Sequence, residues 1–261
     1  MTSRRRTLAG LSPSLLILLA GAAAADMASP TLPREQPTVA IIIDDLGYRE
    51  IDGSRALALP GQITVSILPH TPFAREFAED AYARGIEVML HLPLEPADGL
   101  YDPDPGEIWL DTGSREFLST LDADLASVPH AVGVNNHKGS LLTRHPGHMT
   151  WLMLALERRQ LFFVDSFTTA RSVALQMAHE IGVPAVRRNV FLDTDPDPAA
   201  VSMEFDRLLA LARKQGYAVA IGHPYPSTLA MLERRLPELE RAGVRLVSAS
   251  QLIDLAYGGD Q

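Results

Sequence analysis

From residue 38 onward the chain repeats one alternation. A short run of aliphatic and β-branched residues is followed by a longer stretch whose apolar positions recur every three or four residues. Residues 38–43 (TVAIII) are apolar almost without interruption, the pattern of a strand buried on both faces. A helical pattern follows near 48–59. Residues 63–68 (ITVSIL) predict a second strand, and 73–84 a helix with Phe73, Phe77 and Ala81 on one face. Gly85 stops that helix, and 86–90 (IEVML) predict a third strand.

The connection 92–112 holds Pro93, Pro96, Pro103 and Pro105, so it predicts an irregular loop, of a length that often carries function. Ser114 is expected to cap a helix to about 127. A strand at 131–134 and a helix at 147–160 follow, then a strand at 161–164 (LFFV) and a helix at 171–181. Residues 185–192 contain a strand. Further on are a helix at 198–215, a strand at 217–221, a helix at 227–242, a strand at 244–247 and a last helix at 250–257.

About eight strands, each followed by a helix or long loop, predict a parallel sheet covered by helices, because crossovers between parallel strands are right-handed. At this length the expected form is a closed or nearly closed β/α barrel, with an open doubly wound sheet as the alternative. No internal repeat is visible.

Composition narrows the chemistry. With 46% hydrophobic residues the chain can bury a core. Its charge of −9, from 23 basic and 32 acidic residues with no long basic run, argues against nucleic-acid binding. Cysteine is absent, which excludes disulfides, a thiol nucleophile and a cysteine-held zinc site; a bound metal must use His, Asp or Glu.

The first residues read as an address. Arg4, Arg5 and Arg6 precede the apolar run Leu15-Leu16-Ile17-Leu18-Leu19, and Ala23 and Ala25 offer a cleavage site. Residues 1–25 are therefore expected to be a signal peptide; Ser3-Arg4-Arg5-Arg6 also resembles the start of a twin-arginine signal. The run falls short of the ~20 residues that span a bilayer, which disfavours the alternative of an uncleaved anchor. The Pro-rich stretch 26–37 reads as a tether, leaving 38–261 as the folded, exported domain, periplasmic where the cell has two membranes, with no membrane contact after cleavage.

In parallel α/β folds the site lies at the carboxyl ends of the strands. The residues that follow the apolar runs are Asp44-Asp45, His70, His91, Asn135-Asn136-His137, Asp165, Asp193 and His223. Adjacent carboxylates repel each other in a confined site unless a cation or a shared proton relieves them. Asp45, His91 and His137 form a candidate two-histidine, one-carboxylate metal set with open positions. Asp44 is the candidate base and His223 the candidate acid for hydrolysis of an amide or ester. Asp165 either orients a histidine in the catalytic group or caps the loop after it.

The blocks IIIDDLG, MLHLPLEP, GVNNHKGSLLT, LFFVDSFTT, RRNVFLD and AIGHPYPSTL, in this order, resemble the divergent polysaccharide deacetylase family, a branch of the carbohydrate esterases of NodB-like fold. The resemblance runs from about 38 to 252. It implies a distorted β/α barrel of seven strands in a bacterial envelope protein. It also implies Asp44 as base, Asp45 and His91 as ligands of a divalent metal, for which zinc is the expectation here, and His223 as general acid. Where the wider group has a second histidine four residues after the first, this chain has Glu95, so the third ligand is either Glu95 or His137, with His137 preferred. Asn136, Glu95 and Ser140 are assigned to substrate contact.

The implied function is metal-dependent removal of acetyl groups from an envelope polysaccharide or peptidoglycan-derived sugar, water on the metal attacking the amide carbonyl. The alternative is a non-catalytic envelope protein that keeps the barrel and a sugar-binding cleft. The oligomeric state is not legible.

Overall fold

The computed structural model describes residues 36–99 and 102–258; the expected signal segment 1–25 and most of the expected tether lie outside the described residues. β1 (Thr38–Leu46) leads through α1 (Glu50–Leu57), β2 (Thr64–Ile67) and α2 (Ala74–Ala83) to β3 (Glu87–Leu94). After the long connection come α3 (Ser114–Ser127), β4 (Ala131–Lys138), α4 (Pro146–Arg159), β5 (Phe162–Asp165) and α5 (Ala174–Ile181). The chain ends through β6 (Ala185–Arg187), β7 (Val190–Phe191), α6 (Pro198–Gln215), β8 (Tyr217–Gly222), α7 (Pro226–Arg235), β9 (Arg245–Val247) and α8 (Ala249–Gly258).

Every strand pair is parallel, in the order β6-β5-β4-β3-β2-β1-β8-β7, with β9 on the first residues of β1. β6 pairs with β5, whereas β7, beginning three residues later, pairs with β8. One short stretch therefore touches both edges and curls the sheet into a barrel with its helices outside. The described residues hold nine strands where the resemblance implied seven. The surplus arises because that stretch breaks into two pieces and because β9 adds a short partner to β1.

Side chains alternate across the strands. Val39, Ile41, Ile43, Val65, Ile67, Val88 and Leu90 belong to the larger core shared with the helices. Ala40, Ile42, Met89, Val164, Val186, Val219 and Ile221 form a separate inner core with Leu252 and Ile253 of α8, which plugs the end where the strands begin. Each large aliphatic side chain buried there stabilises the fold by about 1.5–3 kcal/mol.

Several boundaries differ from expectation. β1, β3 and β4 run past their apolar segments; β3 continues through Pro93 to Leu94, which bridges Ile108. α3 is preceded by Gly113, with Ser114 already helical and making no side-chain cap. The helix expected over 227–242 stops at Arg235, and Leu236–Glu238 tightens into a 3-10 turn around Pro237, whose ring cannot continue the α-helix. Among the described residues no helix is long and apolar enough to cross a membrane.

Candidate metal centre and active site

Two neighbours in a regular strand point to opposite faces, yet both Asp44 and Asp45 reach the barrel mouth. The β1–β2 register shifts between Ile43 and Leu46, and Asp45 takes φ 58°, a left-handed conformation that aspartate tolerates better than most residues. This bulge re-aims the second carboxylate beside the first. The inward register of Ala40 and Ile42 continues to Asp44, that of Met89 to His91, and that of Val219 and Ile221 to His223. A step of two positions along each strand leads from the apolar floor to the polar mouth.

Asp45 Oδ1 lies 3.1 Å from His91 Nε2 and 3.0 Å from His137 Nδ1, and the two nitrogens are 3.0 Å apart. Donors held 2.0–2.2 Å from a zinc-sized ion lie roughly 3–3.5 Å from one another. Asp45 Oδ1 is buried and has no hydrogen-bond partner of acceptable geometry, although both nitrogens are at contact distance. The two nitrogens thus lie within hydrogen-bond distance of each other, and the unpaired aspartate oxygen faces both of them across one small gap. This donor set fits a divalent metal with open coordination positions.

The far side of each ring is held. Asn135 donates through Nδ2 to Asp44 Oδ1 and Oδ2 at 2.9 and 3.1 Å, which fixes its amide orientation. Asn135 Oδ1 then accepts from Ser66 Oγ at 2.6 Å and from His91 Nδ1 at 2.8 Å, so His91 Nε2 is the nitrogen turned toward Asp45 and His137. His223 Nδ1 donates to Asp193 Oδ1 at 2.9 Å; Asp193 Oδ2 accepts from the His223 backbone at 2.6 Å and from Thr228 at 2.7 Å. His223 Nε2 consequently faces Asp45 Oδ2, 3.7 Å away.

The electrostatics separate the two acids. Burial pushes Asp44 up, against the pull of His91 and His223 and with the help of the Asp45 charge. Burial also opposes the charge on Asp45, but the close imidazoles of His137 and His91 hold it well below the usual carboxylate range. Burial disfavours the charged form of His223, yet the Asp193 hydrogen bond and the charges of Asp45, Asp193 and Asp44 outweigh it and raise its pKa.

The remaining candidates are placed differently. Asp165 shares the register of Phe163, which faces the helices, and it accepts from Phe167 N at 2.8 Å and Ser172 Oγ at 2.9 Å. It therefore ties down its own loop, and the acid that orients a histidine is Asp193. Glu95 Oε2 accepts from Leu110 N at 2.6 Å, so Glu95 fastens the long connection and stands outside the triad of Asp45, His91 and His137. Ser140 Oγ accepts from Ala97 N at 2.9 Å, and Asn136 bridges Lys138 O and Ser166 N; both hold loops at the rim. His70 pairs with Asp124 behind the barrel wall, 2.8 Å away.

Sequence reasoning missed Ser66 and Asn135 as a buried network, and it missed Asp104, which approaches His137 from the long connection. Beside the triad, Tyr48, Tyr225, Asp45 and His223 line a cleft of about 200 Å³, with Arg49 and Asp52 at its rim.

These features define a parallel β/α barrel with a two-histidine, one-carboxylate centre at the carboxyl ends of its strands. The sequence model of the divergent polysaccharide deacetylase family matches residues 41–253, and the chain belongs to that family. It is 38% identical over 237 residues to the uncharacterised protein YibQ of Escherichia coli K12, covering 91% of this chain and 73% of that one. The uncharacterised protein ATU2773 of Agrobacterium tumefaciens C58 superposes with a TM-score of 0.81 at 24% identity, over 85% of this chain and 92% of its own. More distantly, the fold is similar to BA3943 of Bacillus anthracis, a CE4 family pseudoenzyme, with a TM-score of 0.52 at 13% identity over 85% of this chain and 66% of that one.

Proposed function

We propose that this chain is a metal-dependent hydrolase that removes acetyl groups from an envelope polysaccharide or peptidoglycan-derived sugar. The observation that carries the reading is the convergence of Asp45 Oδ1, His91 Nε2 and His137 Nδ1, with the aspartate oxygen buried and unpartnered. A divalent metal held there, zinc by its donor preference, would polarise the acetyl carbonyl and acidify water.

The protein groups divide the proton work. Asp44, buried and with its pKa raised, accepts a proton from the attacking water. Asn135 holds its two oxygens in place during the transfer. His223, aimed by Asp193 and held more basic than an ordinary histidine, gives a proton to the departing amine. The exposed faces of Tyr48 and Tyr225 beside Asp45 take the sugar ring; their cleft is smaller than the ~300 Å³ at which drug-sized pockets begin, and so suits one ring.

Because a pseudoenzyme shares the fold, the barrel alone does not carry activity, and the test must be chemical. Purified protein loaded with zinc is expected to release acetate from N-acetylglucosamine oligomers, and Asp44→Asn to retain zinc while losing turnover. Zinc-loaded protein that releases no acetate from any acetylated envelope glycan would favour the non-catalytic reading. Export belongs to the same proposal: the chain should fractionate as a soluble envelope protein lacking residues 1–25.

A further inference from the structure

The Pro-rich connection between β3 and α3 delivers one side chain to the metal centre. Asp104 Oδ2 lies 3.2 Å from His137 Nε2 and accepts from Lys138 Nζ at 2.6 Å. An imidazole whose Nε2 proton is held there offers its Nδ1, the atom 3.0 Å from Asp45 Oδ1. His91 is set by the neutral amide of Asn135, deep in the barrel and 2% exposed. His137 is instead set by a charged group that arrives on a loop.

That loop is tied down on either side of Asp104. Glu95 N donates to Ile108 O and Ile108 N to Pro93 O, each at 3.0 Å, and Asp104 N donates to Glu107 Oε2 at 3.0 Å. The carboxylate is thus presented by a segment with its own hydrogen-bond frame, and its grip on His137 depends on that frame staying formed.

We propose that Asp104 is a positioning residue that fixes the His137 ring for metal binding and so couples the order of residues 102–112 to metal occupancy. The proposal rests on the metal-centre reading above. Carboxylates behind metal-bound histidines change metal affinity by about 10- to 100-fold when removed. Binding linkage is reciprocal: whatever factor the ordered loop adds to metal affinity, the metal adds to loop order.

The test measures zinc affinity by competition with a chromophoric chelator for the full chain, for Asp104→Ala and for Asp104→Asn, in low and high salt. Asp104→Ala is expected to bind zinc about 10- to 100-fold more weakly at both ionic strengths. A pure charge effect would fade with salt. Asp104→Asn, which keeps an acceptor, should lose less. In parallel, zinc should slow backbone hydrogen exchange over 102–112 in the unaltered protein and fail to do so in Asp104→Ala. Unchanged zinc affinity in Asp104→Ala, a loss that salt abolishes, or loop protection that persists in that variant would each overturn the proposal. Acetate release with unchanged zinc affinity in Asp104→Ala would overturn this inference alone. Weakened zinc binding in Asp104→Ala, with no acetate release by the unaltered chain, would instead overturn the hydrolase reading alone.

Discussion

The two ends of the barrel interior are built by the same strands in the same inward register, and they hold opposite contents. At one end Ala40, Ile42, Met89, Val219 and Ile221 close against Leu252 and Ile253. At the other, Asp44, Ser66, His91 and Asn135 are equally shielded from water, and every one of them is hydrogen-bonded. The contrast teaches a division of labour. The apolar floor supplies stability and excludes water, which is what pushes Asp44 toward its protonated form. The polar mouth holds the candidate site, and its buried polar groups come at some expense to stability.

Substitutions can break this comparison in order of size. Asp44→Asn should lower acetate release by about 10²–10⁴-fold while leaving the melting temperature unchanged or raised, since a buried carboxylate disfavoured in its charged form is replaced by a neutral isostere. Denaturation curves beside rate measurements check both halves of that statement. Ile221→Ala in the floor should do the converse. It should cost about 2–5 kcal/mol of unfolding free energy while activity per folded molecule persists. A chelator should remove the stabilisation that metal binding adds, about 2.7 kcal/mol at a hundredfold excess over Kd, and should leave the melting temperature of Asp45→Ala unmoved.

An effect of a different kind, read as a pH dependence, comes from Asp124, a buried acid paired with the more exposed His70 outside the barrel. Burial pushes Asp124 from 3.8 up to about 8. Between those values the folded state holds a proton that the unfolded state has released, so stability falls as pH rises through the window and levels off above it. Asp124→Asn abolishes this slope, which is at most about 1.4 kcal/mol per pH unit. The variant's advantage over the unaltered chain should therefore grow from pH 4 toward pH 8 in thermal unfolding. A parallel pH dependence in the two proteins would contradict it.

The fold was readable where apolar runs are long, as in residues 38–43 and 217–221, which became β1 and β8. The strand ends were not, because the ladder outlasts the hydropathy. β3 and β4 stay paired from His91 and Asn135 through Leu94 and Lys138, although their inward side chains have turned polar. Of the cluster Asp45, His91 and His137, His91 was marked most plainly, because a histidine directly after an apolar run must find a partner; His137 stands two residues beyond its run, after Asn135-Asn136. Choosing between Asp165 and Asp193 required a register that hydropathy does not show: Asp165 follows the outward Phe163, whereas Asp193 stands two residues after the inward-packed Phe191. Asp104 lies in a Pro-rich segment without periodicity, 33 positions before its partner His137, and nothing local marks it.

The central claim is that Asp45, His91 and His137 hold a single divalent cation. Anomalous diffraction at the zinc edge, on crystals of the zinc-loaded protein, addresses it most directly. The account predicts one strong peak about 2.0–2.2 Å from Asp45 Oδ1, His91 Nε2 and His137 Nδ1. A zinc peak bound by other side chains, with that position empty, would contradict it.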